Sequence, residues 1–341
     1  MANRSHVTLA LVGCGDIAGA HWRGIQTHAP RVRVTAVVDV DPARAQAWAG
    51  RTGATAFTSL DDALSDGDFD AVDIMTPPHL HEAATLASFV AGKHVLLEKP
   101  MATTPEACER IVSAAERAGT VFMIAEQAQY WPRAVKAQQL IQDGAIGEVI
   151  TARALFSELV PQPQGTLPWR YDAAKTGGGI CFDGGLHRIR PLRMWLGEVD
   201  EVIATLGHPI AEMEGESQAQ ALFRFKSGVV ASYGAIISYT VDGASEEFTV
   251  LGTEGTIVMD HGRQGRCLLY NSDAPQGQSF MPEGRQSGVA YGLELADFAA
   301  AVLDGAPLSA GPEDALNELR IVWAMYRSAE SGCWEKVDYG G

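Results

Sequence analysis

The sequence predicts an α/β protein of two domains: an N-terminal doubly wound parallel sheet, then an α+β domain with a large, open, mainly antiparallel sheet. Three observations predict it. Short apolar runs alternate with helical segments through residues 1–125, the pattern of successive βαβ units. A glycine-rich turn separates the first apolar run from the first helix. Beyond Glu126 helices become sparse and runs alternate apolar with polar residues, as in a sheet with one covered face.

In chain order, Val7 to Val12 reads as a buried strand, Ile17 to His28 as a helix, and Val32 to Val38 as a second strand ending at Asp39. A helix from Pro42 to Thr52, a short strand near Thr55, a strand Ala71 to Met75, a helix His81 to Ala91 and a strand His94 to Leu97 continue the alternation. A helix Pro105 to Ala118 and a strand Thr120 to Ala125 complete the first domain. The second domain, 126–341, opens with a helix at Arg133 to Asp143. Strands follow at Val149 to Phe156, Glu201 to Leu206, Gln218 to Phe225, Val229 to Ser238, Glu247 to Leu251 and Thr256 to Met259. Pro161 to Gly179 and Asn271 to Gly288 read as long loops of the kind that act as lids. Tyr291 to Leu303 and Pro312 to Ser331 read as helices, the second with Glu313 and Asp314 in its first turn. These C-terminal helices are candidates to pack back on the first domain.

Bulk properties bound the function. At 341 residues the chain exceeds the roughly 250–300 residues that one core supports, and 46% hydrophobic against 20% charged residues suits a globular protein. A net charge of −16 without a basic stripe argues against nucleic acid. The five cysteines, Cys14, Cys108, Cys181, Cys267 and Cys333, form no CxxC pair, which suits a reducing, cytoplasmic setting. No run of about 18 apolar residues suggests a membrane span, and Val7 to Val12 is too short for a signal-peptide core.

Gly13-Cys14-Gly15-Asp16-Ile17-Ala18 is the GxGxxA form of the dinucleotide fingerprint, placed directly after a strand and opening a helix. Gly13 permits the tight turn, Gly15 lets backbone N–H groups approach a pyrophosphate, and Ala18 allows close helix-to-strand packing. Asp39 ends the second strand where a carboxylate meets a ribose diol and repels a 2′-phosphate. NAD is therefore expected over NADP, with Arg44 as the competing phosphate reader. Cys14 and His21 read as ordinary packing residues, His21 having no visible partner.

Further motifs carry a resemblance. With the GxGxxA turn, Thr76-Pro77-Pro78-His79-Leu80-His81, the run Ala91 to Leu96, Glu98-Lys99-Pro100, and the loop Gly177-Gly178-Gly179 leading to Asp183 and His187, the chain resembles the Gfo/Idh/MocA family of glucose-fructose oxidoreductase and inositol dehydrogenase. The resemblance spans nearly the whole chain. It implies a Rossmann domain, a C-terminal domain with an open mixed sheet, and hydride transfer at a secondary alcohol or ketone of a sugar, glycoside or cyclitol. It also implies homodimers or homotetramers formed through that sheet, and Lys99, Asp183 and His187 as the polar site. Thr76, Pro77, His81, Glu98, Lys99 and Arg170 are candidates to line the cofactor, with Tyr130, Trp169 and Arg190 beside the substrate.

Alcohol oxidation needs a group to take the hydroxyl proton, and His187 suits this near neutral pH. Lys99 either stabilises the developing oxyanion as a cation or acts as the base. Asp183, one helical turn earlier, either orients His187 or caps a helix. Glu98 and Pro100 read as positioning residues, and Tyr130 and Trp131 as pocket walls or core. Relatives often carry Asp three residues after the His, where this chain has Arg190 followed by Pro191. Arg190 either meets a substrate anion, lowers the pKa of His187, or faces outward. No convincing metal set emerges from Asp183, His187, His79 and His81. Keto-sugar reduction, and a non-catalytic dinucleotide-binding regulator, are the competing functions.

Overall fold

The computed structural model describes residues 5–240, 246–260, 265–282 and 288–340. The chain divides into two compact units, Met1–Tyr130 with Ser287–Leu316, and Trp131–Gln286 with Asn317–Gly341.

The first unit is built on six strands, β1 (Val7–Val12), β2 (Val32–Val38), β3 (Thr55–Phe57), β4 (Ala71–Ile74), β5 (His94–Glu98) and β6 (Phe122–Ala125). All pair in parallel in the order β3-β2-β1-β4-β5-β6. That is the Rossmann order, whose direction reverses between β1 and β4, so the carboxyl ends of the strands there form the binding edge. Between the strands run α1 (Asp16–His28), α2 (Pro42–Thr52), α3 (Leu60–Asp66), α4 (His81–Val90) and α5 (Pro105–Ala118). Local signals place the helix ends. Asp41, Ser59 and Thr104 accept bonds from first-turn amides, and Pro42 and Pro105 occupy first positions where a missing N–H costs nothing.

The second unit contains α6 (Pro132–Gln142), β7 (Val149–Leu159), α7 (Ala173–Thr176), α8 (Leu186–Leu196), β8 (Val199–Gly207), β9 (Gln218–Phe225), β10 (Val230–Ser238), β11 (Glu246–Gly252), β12 (Gly255–Asp260), β13 (Cys267–Asn271) and β14 (Gln278–Ser279). The chain then forms α9 (Val289–Asp304), which belongs to the first unit, and ends with α10 (Pro312–Ser331) and β15 (Glu335–Lys336). The nine strands are ordered β14-β13-β12-β11-β7-β10-β9-β8-β15. Among the described residues only β7 with β10 is a parallel pair, and the others are antiparallel. Along β9, Ala219, Ala221, Phe223 and Phe225 are buried while Gln220, Leu222 and Arg224 are exposed, so the alternation marks one core-facing side.

Two details differ from expectation. Residues 161–179 hold a 3₁₀ turn at Trp169–Tyr171 and the short α7, because Asp172 accepts from the Ala174 amide and starts a helix inside the loop. The second expected lid, Asn271 to Gly288, contains β14, and its residues 283–287 lie outside the described residues. In the first unit, α9 packs on α1 where Gly24 meets Gly292, and a Cβ on Gly24 would lie 2.6 Å from the Gly292 nitrogen. Among the described residues no helix is long and apolar enough to cross a membrane.

Candidate active site

The dinucleotide turn begins where β1 ends. Gly13 has φ +94°, and a Cβ there would stand 2.9 Å from the Met75 carbonyl, so close approach and backbone conformation both require glycine. Gly15 caps α1 with open space around its α-carbon, and no side chain caps that helix start. Asp39, nearly buried, accepts from the Cys14 amide at 2.9 Å and the Asp41 amide at 2.9 Å. The carboxylate expected to read a ribose is thus also a brace for the glycine turn. Arg44 lies 3.5 Å from Asp39 and 3.9 Å from Asp41, drawn to carboxylates on its own side of the turn. Half-buried Ile17 and exposed Asp16 open the helix. The small turn, the positive helix end and the carboxylate after β2 fit a dinucleotide. Burial, then Asp39, pushes the Cys14 thiol up to about 12, so it stays protonated and unreactive.

Lys99 follows β5 at the carboxyl edge. Its amide donates to Glu98 Oε2 at 3.0 Å, and its bond to Pro100 is cis. Glu98 Oε1 lies 3.0 Å from His21 Nε2, and His21 Nδ1 lies 2.8 Å from Asp73 Oδ2. The sequence offers no way to see this: His21 finds partners 52 and 77 residues away, and its only local signal is a polar residue on a helix face that turns out fully buried. His81 is fully buried as well. Its nitrogens lie 2.7 Å from the Thr76 carbonyl and 2.8 Å from the Pro100 carbonyl, so the ring sits between two backbone segments, and because burial lowers its pKa its single N–H donates to one carbonyl at a time. Thr76 and Pro77 are half-buried. Tyr130 is buried and its hydroxyl donates to Asp297 at 2.7 Å, which places it in the core of the first unit.

In the second unit, Asp183 lies in a turn before α8 and not on the helix: Gly185 is the N-cap and no side chain caps it. His187 sits in the first turn of α8, and the Trp131 ring packs 6.1 Å from the imidazole, centroid to centroid. Arg170, which stacks over Trp169, lies 3.9 Å from Asp183. Arg170 is thus brought to Asp183, and Trp131 to His187; both Arg170 and Asp183 are exposed.

Glu216 holds the turn that presents them. Its buried carboxylate accepts from the amides of Gly179 (3.0 Å) and Cys181 (2.9 Å) and from the Tyr326 hydroxyl (2.8 Å), while its carbonyl accepts from Ile180. Glycines here have a steric cause, because a Cβ on Gly179 would fall on the Glu216 backbone and one on Gly185 on the Tyr233 hydroxyl. Glu216 carries no sequence signal, since it lies outside every motif.

Of the readings open for Arg190, the outward-facing one is overturned. It is buried, 3% exposed, and ion-paired with Glu318, which Arg193 also approaches at 3.5 Å. The carboxylate that pairs with it comes from a helix more than a hundred residues later, so it does not face outward. Pro191 is accommodated inside α8.

Residues 7–126 match the model of an oxidoreductase family with an NAD-binding Rossmann fold, and residues 134–258 match the GFO/IDH/MocA C-terminal domain. The chain belongs to the GFO/IDH/MocA family. Within this family it is 30% identical to 1,5-anhydro-D-fructose reductase of Ensifer adhaerens, over 97% of this chain and 98% of the relative. It is 27% identical to levoglucosan dehydrogenase of Pseudarthrobacter phenanthrenivorans, over 97% and 98%. Among known structures, levoglucosan dehydrogenase in complex with NADH superposes with a TM-score of 0.89 at 25% identity, covering 98% of this chain and 99% of the other. GenD2 from gentamicin A biosynthesis, in complex with NAD, gives 0.84 at 29% identity, covering 99% and 98%. The chain is accordingly an oxidoreductase of the GFO/IDH/MocA family with that family's NAD-binding fold.

Proposed function

We propose that the chain exchanges a hydride between NAD and a secondary alcohol or ketone of a sugar, glycoside or cyclitol, with Lys99, Asp183 and His187 managing the polar chemistry. The observation that carries this reading is Lys99 at the carboxyl end of β5, on the same sheet edge as the Gly13 turn after β1. NAD, when bound, supplies the hydride acceptor or donor. Gly13, Gly15, Asp16, Ile17 and Asp39 hold it, and Thr76, Pro77 and Glu98 shape the segments beside it.

His187 takes the hydroxyl proton as the carbonyl forms and returns it in reduction. Lys99 stabilises the developing alkoxide character. Asp183 fixes a neighbouring hydroxyl, with Arg170 and Trp169 closing around the sugar. Relatives named as reductases and as dehydrogenases support a reaction that runs in either direction on the same residues. Self-association through the open sheet is part of the proposal, supported by the exposed Leu222 and Leu251 on its strands. A cytoplasmic setting is part of the proposal too, supported by the odd number and wide spacing of the five cysteines.

The test is a screen of sugars, cyclitols and keto-sugars by NADH absorbance, repeated on Lys99→Ala with the best substrate. Lys99→Ala is expected to lower kcat by about 10²–10⁴-fold while NADH binding, followed by fluorescence, is kept. Near-normal turnover would remove Lys99 from the mechanism. No turnover across the panel with tight NADH binding would favour the regulator.

A further inference from the structure

The core of the first unit contains more charge than a Rossmann sheet needs. His21, Asp73 and Glu294 are fully buried, and Glu98 and Glu126 nearly so. Buried ionic groups are costly, and apolar residues of the same shape often serve stability better, so a cluster of this kind calls for a geometric role. A neutral imidazole has one N–H, yet both His21 nitrogens face carboxylate oxygens. Burial opposes the charged ring, but Asp73 above all, with Glu98, outweighs it and holds the His21 pKa well above its usual value.

The connections converge on one residue. His21 stands on α1, the helix that starts at the dinucleotide turn. Asp73 is on β4, whose continuation, Met75 and Thr76, walls Gly13. Glu98 receives His21 through one oxygen and the Lys99 amide through the other. On the far side of Lys99, His81 spans from the Thr76 carbonyl to the Pro100 carbonyl. We propose that His21 and His81 are positioning residues that clamp the Lys99 turn from its two sides and tie it to the segment walling the dinucleotide turn. The clamp's importance to catalysis rests on the assignment of Lys99 given above.

Asparagine and glutamine separate the two ring nitrogens, because the Asn amide reaches about as far as Nδ1 and the Gln amide about as far as Nε2. His21→Asn keeps a donor for Asp73 and drops Glu98, whereas His21→Gln keeps Glu98 and drops Asp73. Amide hydrogen exchange of the peptide carrying residues 98–101, and the pH profile of Lys99 amine labelling, are measured on each full-length variant. Thermal unfolding and NADH fluorescence titration run alongside. H21N is expected to speed exchange of the Lys99 amide by about tenfold or more, which matches the ~1.4 kcal/mol of one lost charge-assisted bond. It should also shift the labelling profile, while H21Q of equal thermal stability does neither.

Mirror-image behaviour is expected at the other histidine, where H81Q loses Pro100 and loosens residues 99–101 while H81N does not. That pair decides the matter if H21N fails to fold. Equal effects of Asn and Gln at both positions, or native exchange and labelling in H21N and H81Q, would overturn the clamp. Both readouts are independent of turnover: a fully active Lys99→Ala would end the catalytic role of Lys99 and leave the clamp measurable, and the reverse outcome would spare Lys99.

Discussion

Glu294 faces inward from α9, fully buried, and neither of its carboxyl oxygens has a hydrogen-bond partner among the described residues. Burial pushes its carboxyl well above the usual range; the His21 charge pulls the other way, and Glu98, Glu126 and Asp73 add to the rise. For a group whose pKa rises on folding, the stabilising contribution is complete below the unfolded value, near 4.3, and is lost as pH rises through the folded value. Glu294→Gln should remove that slope and raise stability at about pH 8 by on the order of 1–3 kcal/mol. Denaturant titrations at about pH 5 and about pH 8 would check it, and parallel curves for parent and variant would contradict a proton held on folding. Residues of this kind mark how far the sequence is legible. Asp39 and Lys99 stand at strand ends that apolar periodicity locates, whereas the settings of His21, Glu294 and Arg190 depend on partners from distant segments, and no local pattern encodes those.

At the scale of elements, the strands, most helices and the glycine turn are readable because each writes its own period and caps into adjacent residues, as Asp41-Pro42 and Thr104-Pro105 do. The turn from Gly177 to Asp183 shows the opposite. Its glycines are visible in the sequence, but the causes at Gly178, pressed by Tyr326 and Phe182, and at Gly179, pressed by the Glu216 backbone, are tertiary facts. Gly179→Ala is therefore expected to cost about 3–5 kcal/mol, because the added Cβ meets backbone that cannot yield. Gly50, inside α2 with open space at its α-carbon, gives the contrasting case. Gly50→Ala should stabilise by about 0.5–1 kcal/mol. Thermal denaturation of the two variants reads both, and a Gly179→Ala protein as stable as its parent would show that the turn can shift.

For the whole molecule, the units are not two consecutive halves of the chain, because α9 returns to the first unit from beyond residue 286. Its residues Leu295, Phe298 and Ala299 are buried, its Tyr291 ring packs 5.3 Å from the His21 imidazole, and the Tyr291 hydroxyl accepts from Gln127 at 2.7 Å. A chain cut after Tyr130 loses this cover and leaves the inner face of α1 against water. It is expected to aggregate or to unfold at least several kcal/mol more easily than the parent, and joining residues 287–316 to it by a flexible linker should recover cooperative unfolding. A sharp native-like transition for residues 1–130 alone would show that α9 is dispensable.

The Gly24–Gly292 crossing gives this return a meaning in time. On the ribosome, α1 and its buried His21 are made before the helix that covers them. At about 5–20 residues per second, the intervening stretch delays that helix by on the order of ten seconds or more. Helix α1 is thus synthesised well before the helix that covers it, and the nascent first unit must remain soluble with an uncovered flank until α9 emerges.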